Sequence, residues 1–265
     1  MVLNATDRAK IQVRGATKIY ETKTGPVHAL ESLSLAVGEG ELVTILGPSG
    51  CGKTTLLWAM SGLHALTRGE IELDGTPVAG PRPHEIGMMF QDANLLPWRN
   101  LLKNIEFPFE IKKRPLDAER VTRLLGQVGL TGFETAYPRE LSGGMQQRAS
   151  IVRALAQDPA VLLMDEPFGA LDAFTRDEMN LLLLELWSET NKTIVFVTHN
   201  ISEAIFLADR VVVMTPRPGR LARIFEIELP RPRTIEMTFE PDFIELIQEI
   251  KRTVESGGRH TVEVE

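Results

Sequence analysis

The sequence predicts an α/β fold: a mostly parallel, doubly wound sheet with an antiparallel β portion near its start and a helical block inserted in its middle. Three observations carry this. Residues 160–164 and 193–198 are continuous apolar runs without polar alternation, as strands covered on both faces require. Helix-patterned segments separate the later strands. The early segments 11–20, 28–37 and 69–75 read as strands with little helix between them, which asks for antiparallel pairing.

Taken in order, residues 11–20 form a strand interrupted by Gly15. Residues 28–37 form a second, alternating strictly from Leu33. A turn at Gly38, Glu39 and Gly40 leads into an apolar strand at 41–46. Next comes the stretch Gly47, Pro48, Ser49, Gly50, Cys51, Gly52, Lys53, Thr54, Thr55, with a helix opening near Lys53. Residues 69–75 end on an Asp74-Gly75 turn, and a short strand at 86–90 delivers Gln91. Residues 92–115, broken by Pro97, Pro108 and Pro115, suggest no regular element. Helical spacing returns at 117–128, capped by Asp117, and at 142–157, which stops before Asp158-Pro159. The strand at 160–164 ends in Asp165-Glu166. A leucine-rich helix spans 172–188, the strand at 193–198 ends at His199, a short helix covers 202–208, and a last strand covers 210–214. Beyond Pro216 the chain is rich in Pro and Arg. Phe243, Leu246, Ile247 and Ile250 then mark an amphipathic helix, either docked on the core or facing a partner. The tail from Ser256 reads as loose. The implied divisions are 10–91 with 159–230 for the core and β portion, 92–158 for the helical insert, and 231–265 for a C-terminal extension.

Composition narrows the function classes. The net charge of -7 argues against a basic nucleic-acid-binding face. The single cysteine, Cys51, excludes an internal disulfide and fits a reducing compartment. Inside a glycine-rich loop it reads as a small filler rather than a reactive thiol. Residues 1–10 lack the apolar core of a signal peptide, and no run of 18 apolar residues is present.

The chemistry sits at strand ends. Strand, glycine-rich turn and helix in that order cradle a phosphate: backbone N–H groups curl inward, and the helix adds the positive end of its dipole. Lys53 supplies a full charge for the outer phosphates of a nucleoside triphosphate, and the Thr54 hydroxyl suits magnesium. After its strand, Asp165 can hold the same ion, while Glu166 can orient and polarise an attacking water. His199, on the adjacent strand, is placed to reach a γ-phosphate. Gln91 can join magnesium and water, or be a surface amide. Ser142, Gly143 and Gly144 form a second anion site: a helix cap with exposed amides, too distant to grip the same phosphate within one molecule. A symmetric dimer resolves this if each chain offers that segment to the nucleotide held by the other.

These motifs together resemble the ATP-binding subunit of an ABC transporter over about residues 11–214. The resemblance implies a P-loop NTPase with a RecA-like core, ATP and Mg2+ as cofactors, and ATP hydrolysis coupled to transport. By position, residues 47–54 are similar to the Walker A loop, Asp165 to the Walker B carboxylate and Glu166 to the catalytic glutamate. Gln91 matches the Q-loop, Asp172 the D-loop and His199 the switch histidine. Ser142, Gly143, Gly144 and Gln146 match the signature motif, with Met145 where many relatives have Gln. Tyr20 falls where the family stacks an aromatic on adenine; a half-buried strand tyrosine is the other reading. Residues 91–100 and 214–220 resemble the nitrate/sulfonate/taurine importer branch. That implies a homodimer bound to transmembrane permease subunits on the cytoplasmic face of a bacterial inner membrane, served indirectly by a solute-binding protein. Pro97-Trp98 would meet the permease, unless Trp98 is a core residue. A soluble ABC ATPase acting on DNA or ribosomes is the alternative; the short helical insert, the single cassette and the negative charge weigh against it. A P-loop GTPase or small-molecule kinase lacks support, since Asn191-Lys192 is not followed by a guanine-reading aspartate.

Overall fold

The computed structural model describes residues 9–257. The readings of residues 1–10 as leaderless and of the tail from Ser256 as loose therefore fall mostly outside the described residues. The first half contains β1 (Ala9–Thr22), β2 (Gly25–Gly38), β3 (Leu42–Leu46), α1 (Lys53–Met60), β4 (Arg68–Leu73), β5 (Thr76–Pro77) and β6 (Ile86–Met89). The helices α2 (Leu101–Lys112), α3 (Ala118–Gln127) and α4 (Gly143–Leu155) follow. The chain closes with β7 (Val161–Asp165), α5 (Ala173–Thr190), β8 (Thr193–Thr198), α6 (Ile201–Leu207), β9 (Arg210–Met214), β10 (Leu221–Glu226) and α7 (Pro241–Glu255).

Two sheets result. The antiparallel one has the order β2-β1-β4-β5, and the other runs β10-β9-β3-β8-β7-β6. Within the second, β9, β3, β8, β7 and β6 are parallel and β10 alone runs against its neighbour. The uninterrupted apolar runs are explained by double coverage. Leu162 and Met164 of β7 face one apolar cluster with α4, α5 and α6, while Val161 and Leu163 face another with α1 and the antiparallel sheet. Each fully buried aliphatic side chain is worth about 1.5–3 kcal/mol relative to exposure. The parallel register places the ends of β3, β6, β7 and β8 along one edge of the sheet, where such folds bind ligands.

Two elements lie where no periodicity in the sequence marks them. Residues 101–112 form a helix although Pro108 interrupts them. Asn100 caps it by accepting from the Lys103 N–H, and buried Asn104 donates to the carbonyls of Leu96, Arg99 and Asn100. Tertiary packing of Leu101 and Ile105 overrides the proline penalty. The insert therefore holds three helices rather than two. Likewise, residues 221–226 form the edge strand β10 within the Pro- and Arg-rich region. It turns back from β9 and pairs antiparallel with it.

The C-terminal helix α7 docks on the core through Phe243 and Ile250, which are buried. The segment before it grips α6. Arg233 is 4% exposed, and its Nη1 donates to the carbonyls of Ile205, Phe206 and Ala208 at 2.8–2.9 Å. Burial lowers its pKa to about 10, so it stays charged at neutral pH. Arg231 joins it by binding Asp209 and the Leu207 carbonyl. Arg233→Ala would strand the last carbonyls of α6 in the interior. Urea unfolding is expected to show a loss of about 2–4 kcal/mol, with unchanged stability counting against this clamp.

Candidate functional site

The loop after β3 is built by close approach. Gly50 and Gly52 have φ of 74° and 104°, in the left-handed region that suits glycine. Gly52 caps α1 without a side chain, so the first-turn N–H groups lack an intrahelical partner. At Gly52 a Cβ would lie 2.7 Å from the Ala29 carbonyl oxygen of β2. Cys51 is buried, and burial pushes its thiol up, so it fills space rather than offering a thiolate.

Lys53 is 5% exposed. Its Nζ donates to the carbonyls of Gly47 at 2.9 Å and Pro48 at 3.2 Å, and lies 3.6 Å from Oε1 of Glu166. Thr54 donates its hydroxyl to Oδ1 of Asp165 at 3.0 Å. Burial pushes the Asp165 carboxyl up, opposed by that hydrogen bond. A hydroxyl and a carboxylate this close make a hard oxygen donor pair of the kind magnesium takes alongside phosphate oxygens. Among the described residues no group of three or more His, Cys, Asp or Glu forms an all-protein cage. The residues thus fit magnesium held together with a nucleotide.

Glu166 has a positive φ of 46°, a conformation a non-glycine residue adopts only when its surroundings enforce it. Its N–H is tied to the Val197 carbonyl of β8 at 3.0 Å. Oε2 of Glu166 lies 2.7 Å from Nδ1 of His199. A carboxylate only accepts, so this contact places the histidine proton on Nδ1. The two strand ends therefore bring Lys53, Glu166 and His199 into one chain of contacts.

Other expected residues are placed differently. Gln91 is exposed; its carbonyl accepts from Gln147 Nε2 at 2.8 Å, and its side chain makes no hydrogen bond among the described residues. Tyr20 is half-buried, with its hydroxyl 3.0 Å from His64 Nδ1 and 3.5 Å from Thr55 Oγ1. It thus lies beside the phosphate loop. Ser142 caps α4 by accepting from the Met145 N–H at 3.2 Å, and Ser142 and Gly143 are exposed. Gln146 turns inward, donating to the carbonyls of Pro138 and Leu141. Asp172 caps α5 and accepts from Thr175, contacts that hold its carboxyl low. Among the described residues no hydrogen bond or ion pair joins the Ser142 segment to the Lys53 site.

Sequence reasoning missed the support beneath the loop. The turn between β9 and β10 packs against it: Gly219 donates to the Ala29 carbonyl, and Glu31 donates to the Gly219 carbonyl. A Cβ on Gly219 would lie 2.0 Å from the Cys51 carbonyl oxygen. Nothing in the spacing of residues 214–220 marks this contact. It also missed Arg153, whose guanidinium donates to the carbonyls of Ala93 and Asn94, joining α4 to the segment after Gln91.

The ABC transporter family model matches residues 30–169. The aliphatic sulfonates import ATP-binding protein of Bacillus cereus is 41% identical, over 94% of this chain and 97% of its own. The taurine import ATP-binding protein of Yersinia pestis is 50% identical, over 80% of this chain and 82% of its own. Among solved structures, a dimeric ATP-binding cassette bound to ADP and phosphate superposes with a TM-score of 0.73 at 33% identity, over 83% of this chain and 100% of that one.

Gly219→Ala is expected to push into the loop backbone and weaken ATP binding by about tenfold or more. Gly75→Ala, in the turn between β4 and β5, meets no neighbour within 4 Å and is expected to cost only about 1–2 kcal/mol of backbone strain while leaving ATP affinity unchanged. Titration with a fluorescent ATP analogue, alongside thermal melting, separates the two; equal affinities for both variants would refute the support role.

Proposed function

The chain belongs to the ABC transporter family of ATP-binding proteins, and from that premise we propose that it powers import of a small, anionic, sulfonate-like solute through a separate membrane permease. It is an ATPase coupled to transport. The observation that carries the mechanism is the contact chain from Lys53 through Glu166 to His199. Lys53 and the loop amides from Gly47 to Thr55 hold the phosphates of ATP, and Tyr20 lies beside the loop for the adenine. Thr54 and Asp165 would hold magnesium, with Gln91 able to join them, and the ion would neutralise phosphate charge. Glu166, oriented by the Nδ1–H of His199, accepts a proton from the attacking water. Its left-handed backbone and its bond to β8 fix that orientation before substrate arrives.

The Ser142, Gly143 and Gly144 segment serves the γ-phosphate bound by a second copy of the chain, with Asp172 beside it. Its exposure and its separation from Lys53 support this reading, as does the dimeric state of the similar cassette. Among the described residues no helix is long and apolar enough to cross a membrane, and in this reading the permease is a separate protein. Trp98 is 70% exposed in the segment after Gln91, where an aromatic anchor suits a partner surface. The placement is peripheral, at the cytoplasmic face of the cell membrane, with a solute-binding protein delivering cargo to the permease. Residues 10–91 with 159–230, 92–158 and 231–265 act as core, signature-bearing insert and extension.

Glu166→Gln keeps the size and removes the proton acceptor. ATP hydrolysis is expected to fall by about 10²-fold or more, with an ATP-loaded dimer accumulating on size-exclusion chromatography. Turnover near that of the unaltered chain would contradict the role of Glu166.

A further inference from the structure

The charged group the mechanism leaves unused is Glu203. It is 5% exposed, and among the described residues its Oε1 has no hydrogen-bond partner. Buried carboxylate oxygens are costly to leave unpaired, so each one needs an explanation. Its other oxygen accepts from the hydroxyl of Thr198, the last residue of β8. That hydroxyl in turn accepts from the Asn200 N–H at 3.0 Å, and the Asn200 side chain accepts from the Glu203 N–H at 3.2 Å. The three bonds close a ring spanning residues 198–203, and His199 sits between two of its members. Arg233 fastens the far end of the same helix.

Burial pushes the Glu203 carboxyl up, opposed by the Thr198 hydroxyl and by the charge of Arg176. Arg176 lies in the first turn of α5. Its guanidinium donates to the carbonyls of Phe168 at 3.3 Å and Leu171 at 2.6 Å, on the segment leading to Asp172. Arg176 thus holds the loop carrying Asp172 from α5, the helix that packs beside α6 and its Glu203.

We propose that Glu203 is a positioning residue for hydrolysis: with Thr198 it sets the turn that aims His199 at Glu166. The proposal rests on the roles assigned above to Glu166 and His199. Glu203→Gln replaces the carboxyl acceptor of Thr198 with a weaker amide acceptor. Thr198→Val removes the hydroxyl at constant size, and Thr198→Ser retains it.

The experiment measures kcat and KM for ATP, with thermal melting, in the full chain carrying Glu203→Gln, Thr198→Val, both together, or Thr198→Ser. Each of the first two is expected to lower kcat about tenfold with KM within about twofold, because aim is lost while phosphate binding is kept. The double variant is expected to be no slower than the worse single, and Thr198→Ser to retain the rate. A merely structural role would move the melting temperature and leave kcat in place. A kcat within twofold of the unaltered chain for Glu203→Gln, losses that multiply in the double variant, or equal losses in Thr198→Ser and Thr198→Val would overturn the proposal. If Glu203→Gln does not fold, the Thr198 pair decides alone. A Glu166→Gln control that still hydrolyses ATP would overturn the underlying mechanism instead, whereas an inactive control beside a normal Glu203→Gln overturns only this inference.

Discussion

A buried ammonium is the constraint around which the site is built. Lys53 is almost wholly removed from water, and its charge must be met by fixed partners. The carbonyls of Gly47 and Pro48 curl over it, which only a glycine-rich turn permits, and Glu166 supplies the counter-charge at 3.6 Å. That counter-charge has to come from the end of β7, one strand removed from β3 with β8 between them. The left-handed backbone of Glu166 and its bond to Val197 follow from reaching across that gap. His199, at the end of the intervening strand, then meets Glu166 from the side. Strand order thus determines which side chains can share a phosphate.

Neighbouring carboxylates on one strand end acquire different tasks by the same logic. Asp165 completes β7 and bonds the Thr54 hydroxyl, so it faces the start of α1. Glu166 has left the ladder and turns toward Lys53 and His199. In the mechanism proposed above, one residue of chain separates an oxygen donor for a cation from a proton acceptor for water.

Much of this was legible in the sequence because it depends on local pattern. The unalternating runs gave buried strands, the glycines of residues 47–52 gave a phosphate loop, and Asp117 and Ser142 gave helix starts, all decided within a few residues. What escaped depends on contacts distant in sequence. Pro108 masks α2, whose helix exists because Leu101, Asn104 and Ile105 find buried partners. The edge strand β10 is framed by prolines and carries exposed residues, so neither period nor composition marks it. Gly219 looks like an ordinary turn glycine until its backbone is seen against Cys51, and Arg233 looks like a surface charge until the end of α6 closes on it. Glu203 is hidden for the same reason: a glutamate in a short helix reads as solvated, and only the fold buries it.

The central claim is that each nucleotide site is completed by a second copy of the chain. Ser142 and Asp172 are exposed on one chain, and Gly144 packs so closely on Thr175 that a Cβ there would lie 2.8 Å from its methyl group, so the two exposed segments travel together. The most direct measurement mixes two inactive variants, Lys53→Ala and Ser142→Arg, and records ATP hydrolysis. With sites shared between chains, each mixed dimer holds one intact site. Activity is then expected to recover to roughly a quarter of the unaltered rate, since half of randomly formed pairs are mixed. A mixture that stays at the background of its two parents would contradict the claim.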